Sequence, residues 1–359
     1  MMVAQPIDRR RFLRGCSTSA MLCAAMSSDG RLEAAQAAAD PLAAWADTDD
    51  LFTLEVRQAI FRGLQFLTAT QAATGSFPDR MGRNVGVVAL SGLAMLATGN
   101  LPGRGRFGEP LQRCIRYITG ASLDSGFIVR RESVSRGEMY GHGFATLFLA
   151  EALGITPRDD LGAKVRAAVE IILAAQHSSG GWRYTPQPTE ADLSVTICQV
   201  MALRAARNAG IYVPAEVITK AIDYIRRSQN PDGGFMYQMQ GGESRFPLTA
   251  GAIVALQNAG RYEGSEIELA YNFLKRRRIA NLSPRQTNYF LYAHYYSVQA
   301  YWQKGGDEFR SWYGGLRNVL LNAQADDGGW NDFVGRTYAT AMSCLILSAP
   351  RSSLPIFQR

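Results

Sequence analysis

Gln229-Asn230-Pro231-Asp232-Gly233-Gly234-Phe235 reads as the end of one helix and a tight turn into the next. Ahead of it, Ile222 and Ile225 share a face while Arg226 and Arg227 point the other way, the pattern of an amphipathic helix. Behind it, Thr249–Ala259 is apolar almost all round, as a helix buried on every side must be. The glycine pair sits where the chain needs a backbone free of Cβ.

The same template recurs as Gln71…Gly75-Ser76-Phe77, Gln176…Gly180-Gly181-Trp182 and Gln324…Gly328-Gly329-Trp330. In each copy Gln precedes an aromatic by six residues. Asp124-Ser125-Gly126-Phe127 is a fifth copy that has lost its Gln. The aromatics step by about fifty residues, and the double step before Trp330 places a degenerate copy near 280–285. Apolar helices follow the turns at Val85–Leu96, Gly143–Leu153, Val195–Ala205 and Thr340–Leu347. Six units of outer amphipathic helix, turn and inner buried helix predict an all-α chain closed into an (α/α)6 toroid. They also explain 35 glycines in 359 residues, above the usual share of about 7%.

Q-x-x-x-G-x-W/F at this spacing resembles the squalene-cyclase and protein-prenyltransferase repeat, over about residues 52–348. The resemblance implies that Gln71, Gln176, Gln229 and Gln324, with Phe77, Trp182, Phe235 and Trp330, tie one hairpin to the next.

Around the ring, residues 1–37 read as a leader, 38–51 as a linker, 52–350 as the toroid and 351–359 as a tail. Asp8-Arg9-Arg10-Arg11-Phe12-Leu13-Arg14 resembles the twin-arginine export signal, followed by a short weakly apolar stretch and the small-residue site Ala35-Gln36-Ala37. Export to the periplasm is the expectation. The leader carries a net +2 of the chain's +7; the rest shows no basic stripe with interleaved aromatics, so no nucleic-acid partner is expected. No apolar run reaches the ~18–20 residues of a membrane helix. Cys114, Cys198 and Cys344, far apart inside helical patterns, are expected as buried free thiols.

In a toroid, chemistry belongs at the N-terminal ends of the inner helices, which face the central space and favour negative charge. At the third start stands Glu190-Ala191-Asp192-Leu193-Ser194, similar to the D-x-D-D motif with which class II terpene cyclases protonate an alkene. The resemblance puts Asp192 at the proton donor and Glu190 at the first acid, with Leu193 in place of the third. Read from the residues alone, Asp192 is equally an N-cap. His142 and His294 are candidate acid–base groups. Tyr140, Tyr289, Tyr292, Arg245, Arg336 and Tyr338 are candidates to line a substrate. The zinc set of protein prenyltransferases is not matched, because Ala339 stands near the expected histidine; no metal and no cofactor are expected.

Three functions stay open. One is proton-initiated cyclisation of an apolar isoprenoid. Another is a non-catalytic toroid binding a small molecule or a protein. The third is a glycan-cleaving enzyme with two carboxylates about 5–10 Å apart, such as Asp192 with Asp332 or Glu190 with Glu243. One ring argues against a full triterpene cyclase, which carries two.

Overall fold

The computed structural model describes residues 50–359 except 132–133, 135–136, 157, 282–288, 352–353 and 358–359. The twin-arginine motif, the linker up to residue 49 and most of the degenerate copy near 280–285 lie outside the described residues.

Amphipathic and apolar helices alternate along the chain. The outer set is α1 (Leu54–Thr70), α3 (Gly108–Thr119), α5 (Asp159–Ala174), α7 (Ala215–Arg227), α9 (Ser265–Asn281) and α11 (Gly306–Ala323). The inner set is α2 (Val85–Ala97), α4 (Glu138–Ile155), α6 (Leu193–Asn208), α8 (Phe246–Asn258), α10 (Phe290–Lys304) and α12 (Arg336–Ser348). The outer helix α7 buries only Val217, Ala221, Tyr224 and Ile225, whereas every residue of α2 is buried. Each large apolar side chain removed from water in this way contributes roughly 1.5–3 kcal/mol. Successive inner helices pack on one another, and α12 packs back on α2 and α1, so the chain of contacts returns to its start. The result is the all-α toroid expected from the repeat.

The turns show why Gln and Gly recur. Gln176 stands two residues past the end of its outer helix, and its side-chain amide donates to Gly180 O at 2.8 Å and to Val217 O of the next outer helix at 2.9 Å. Gln71 reaches Pro110 O, and Gln229 reaches Glu266 O, in the same way. The glycine lies four residues past the glutamine, beyond the helix cap where the sequence placed it. Gly180 has φ +101°, and a Cβ there would come within 2.1 Å of Lys220 O. The left-handed backbone and the close approach both require glycine.

The indole N–H groups bond within their own hairpins, while the Trp330 ring also lies against Gly63 of α1, a contact between hairpins as the resemblance implied. Trp182 Nε1 donates to Ile172 O at 2.7 Å and Trp330 Nε1 to Leu320 O at 2.8 Å, each inside its own hairpin. The glutamines carry the bonds between hairpins.

Two expected boundaries shift. Asp50, assigned to the linker, accepts from Arg310 Nη1 of α11 at 2.9 Å. In the expected tail, Leu354, Ile356 and Phe357 are buried, the last two in a 3-10 turn, Pro355–Phe357. A tail of that apolarity gains more by covering the ring than by staying in water.

Candidate active site at the inner helix starts

Asp192 is wholly buried at the start of α6. Its Oδ1 accepts from Val195 N at 3.0 Å, the N-cap bond, and from Ser194 Oγ at 2.6 Å. Its Oδ2 is buried with no hydrogen-bond partner. Burial pushes the carboxyl above the ordinary aspartate range, against the opposing pull of Ser194, the Val195 amide and the Arg183 charge. The helix cap and a buried, unsatisfied oxygen therefore coexist on one side chain.

Tyrosines surround it. The Tyr140 hydroxyl of α4 lies against Ser194 and Tyr292 of α10, and Tyr292 stacks edge-on against Tyr296 at 5.0 Å. Burial raises the hydroxyls of Tyr140, Tyr292 and Tyr296 well above their usual range, so all three are neutral donors at any working pH. Below them Phe144 of α4 meets Tyr295 of α10 at 6.3 Å. Helices α4 and α10 are not neighbours in the cycle of contacts, so these pairs reach across the interior. A ligand entering it must turn them aside.

Glu190 does not join Asp192. It is 60% exposed and paired with Arg183 at 2.8 Å. Leu193, in the position of the third acid, is wholly buried and its N–H donates to Tyr237 O. Asp192 is thus a buried acid with no carboxyl neighbour in Glu190, and burial alone raises its pKa. Glu243 is exposed, and Asp332 lies by Tyr338 at the start of α12.

Neither histidine serves the interior. His142 Nδ1 accepts from Ile128 N at 3.0 Å, and Nε2 lies 3.0 Å from Ala168 O of the outer helix α5. In three other units a threonine hydroxyl does this work: Thr196, Thr249 and Thr340 accept from the backbone N–H of Trp182, Phe235 and Trp330, each at 3.0 Å. His142 replaces that threonine, and burial lowers its pKa to about 4. His294 is packed among Phe246, Phe290 and Trp312, the last on the outer helix α11.

The remaining candidates scatter. Tyr140 and Tyr292 stand beside Asp192. Tyr338 is half-buried at the start of α12, near Tyr295. Tyr289 is 49% exposed and meets Phe333, 53% exposed, at 5.5 Å. Arg245 lies over the Tyr237 ring, and Arg336 binds Asp327 through two bonds while covering Phe66. Arg336 is held outside the Asp192 cluster, whereas Tyr237, the ring under Arg245, lies close enough to feel the Asp192 charge.

One interior acid escaped the sequence reading. Glu151 of α4 is buried, faces the Ile356 amide and has its pKa raised to about 8 by burial. It was legible only as a charge within an otherwise apolar inner helix. The zinc reading does not fit: burial drives the Cys198 thiol far above its normal range, and among the described residues no three His, Cys, Asp or Glu side chains gather. The three described cysteines are buried free thiols. No described helix is long and apolar enough to cross a membrane.

A prenyltransferase alpha-alpha toroid domain matches residues 84–345, well over half of the chain. The chain belongs to this family. Among curated relatives of this toroid, drimenyl diphosphate synthase of Streptantibioticus cattleyicolor is 32% identical over 112 residues. That match covers 31% of this chain and 20% of the relative, so the likeness extends over only a fifth of that protein. Among solved toroids, a type II terpene cyclase from Scytonema superposes with a TM-score of 0.56 at 16% identity, covering 82% of this chain and 97% of that one. That cyclase has been solved with geranylgeranyl dihydroxybenzoate, its substrate. The α-mannanase of Bacteroides thetaiotaomicron superposes at 0.60 with 10% identity, over 86% and 97% of the two chains. Such likenesses establish the fold.

Proposed function

We propose that this toroid is an exported, proton-initiated isoprenoid cyclase with Asp192 as the acid. The observation that carries the reading is Asp192 Oδ2: buried, unpartnered and on a carboxyl whose pKa burial raises, next to the tyrosines that cross the interior. The drimenyl diphosphate synthase match and the family support an isoprenoid in preference to a glycan.

The proton on Oδ2 moves to the less substituted carbon of a terminal alkene, whose π electrons form the new C–H bond. The carboxylate left behind is held by Ser194 Oγ and the Val195 amide at the positive end of α6. The cation on the more substituted carbon is taken up by the next alkene, which closes a ring. The faces of Tyr140, Tyr292, Tyr296 and Phe144 stabilise the travelling charge. Loss of a proton from the final cation restores the acid, so the reaction is an isomerisation and needs no co-reactant.

The test is incubation of the protein with linear prenyl diphosphates, prenyl arenes and squalene-like chains. A cyclic product lost in Asp192→Asn supports the reading, and no turnover of any isoprenoid overturns it. Export rests on the motif at Arg9-Arg10; unchanged secretion of an Arg9→Lys, Arg10→Lys chain would remove that part.

A second reading, a binding toroid without chemistry, is favoured by one observation. The Phe144–Tyr295 contact and the meeting of Tyr140 with Tyr292 span the interior. Tight isoprenoid binding that Asp192→Asn leaves intact, without product, would select it.

A further inference from the structure

The 3-10 turn Pro355–Phe357 touches helices from opposite sides of the ring. The Ile356 amide faces Glu151 of α4. Helix α6 packs against the turn. Ile356 and Phe357 line a small cleft with Val254 and Gln257 of α8. Phe357 O accepts from Gln303 Nε2 of α10 at 2.7 Å, and its ring meets Tyr295 of α10 at 6.3 Å. A three-residue turn in contact with α4, α6, α8 and α10 lies across the axis, at the C-terminal ends of the inner helices. The cleft beside it holds about 10 Å³, no more than one water.

On α4, Tyr140 marks the level of Asp192 and Glu151 the level of the turn. Eleven residues separate them, three helical turns along one stripe, or about 16 Å of rise. Phe144 and Tyr295 lie between, and Tyr295 rests on Phe357. Rotation of Phe144 and Tyr295 opens the space between acid and turn. It does not remove the turn, which is held by the Gln303 bond and by buried Leu354 and Ile356.

We propose that Leu354–Phe357 is the floor of the ring's cavity, and that Phe357, acting through Tyr295, limits the length of the prenyl chain the ring accepts. This rests on the isoprenoid reading of the Asp192 site. It makes the cavity blind-ended, open at the Asp192 level and closed by the chain's own C-terminal segment.

The experiment measures binding of geraniol, farnesol, geranylgeraniol and geranylfarnesol by calorimetry to the full chain, to Phe357→Ala and to Phe357→Trp. All three carry Asp192→Asn, so that binding is read without turnover. The floor predicts that Phe357→Ala moves the tightest-bound chain up by one isoprene unit, with about tenfold gain for the longer alcohol. Phe357→Trp moves it down by one unit, which a general loss of packing would not do. Identical length profiles in the three proteins, or no binding of any alcohol to any of them, overturn the proposal. If turnover fails with every isoprenoid while the profile shifts both ways, the cyclase reading falls and the floor stands. If Asp192-dependent turnover occurs while the profile is fixed, the floor falls and the cyclase reading stands.

Discussion

The Gln324 side-chain amide donates to the Ala59 carbonyl at 2.8 Å, a bond that spans 265 positions and joins the last hairpin to the first. It repeats the Gln176–Val217 bond in the middle of the chain. The repeat therefore obeys the same rule at its junction as along its length. Gln324 also donates to Gly328 O and accepts from Arg62 Nη2. Replacement by alanine should lower stability by about 1–3 kcal/mol. Urea denaturation should show this as a lower midpoint with an unchanged slope, because the surface exposed on unfolding is the same.

Gly180 and Gly210 both have positive φ, +101° and +86°. Around Gly210 a Cβ would meet nothing within 4 Å, whereas at Gly180 it would strike Lys220 O. Gly210→Ala should cost about 1–2 kcal/mol for the backbone alone. Gly180→Ala should cost roughly 3 kcal/mol or more, because the neighbouring outer helix must also move. Parallel thermal melts check the difference.

Glu151 makes the fold sensitive to alkali. Its folded pKa, about 8, lies above the unfolded value, so the native state holds an extra proton between about pH 4.5 and 8. Stability contributed by the protonated form is lost as pH rises through that window, on the order of 5 kcal/mol at full ionisation. Glu151→Gln should flatten the loss between pH 6 and 9, measured by unfolding at each pH.

His142 works in the opposite direction. Its folded pKa of about 4 lies below the unfolded value near 6.5. Stability is full above pH 6.5 and falls as pH drops towards 4, by roughly 3 kcal/mol. His142→Thr should keep the bond to the Ile128 amide, as three other units do, and remove the acid slope. At neutral pH it should be about 1–3 kcal/mol less stable, for the lost Ala168 contact and the space left.

Ser194 and Glu190 separate the acid's own partners from its neighbours in sequence. Ser194→Ala removes the 2.6 Å bond to Asp192 Oδ1, which holds the carboxylate formed on proton release. Cyclisation should fall about 10–100-fold. Glu190→Gln breaks only an exposed pair with Arg183 and should leave turnover unchanged.

The ring was legible because its repeat is written in backbone requirements. A glycine with φ near +90° and a carbonyl against it, or a glutamine bridging two turns, admits few substitutes, so Gly75, Gly180, Gly233 and Gly328 stand out in the bare sequence. Asp192 was legible for the same reason, as a cap at a helix start. His142 misled, because an imidazole suggests chemistry wherever it stands. Its role emerged only when Thr196, Thr249 and Thr340 were found at the same place in other units. Glu190 misled through adjacency: two residues before Asp192 in sequence, it pairs with Arg183 at the surface instead of joining that carboxyl. Glu151 and Phe357 could not be found by pattern, since what unites them is a crossing of the interior by residues some two hundred positions apart.

The interval from glutamine to glycine is four residues in every complete copy, while the distance between copies varies. The clamp fixes one length and leaves others free. Gly99, Gly103, Gly210, Gly241, Gly242 and Gly260 lie in connections where added atoms would meet nothing or almost nothing. Those connections are where foreign peptides can be spliced in, as epitopes or sensor elements, without disturbing the seams. Any graft between Gln176 and Gly180 would instead break the register between two neighbouring outer helices.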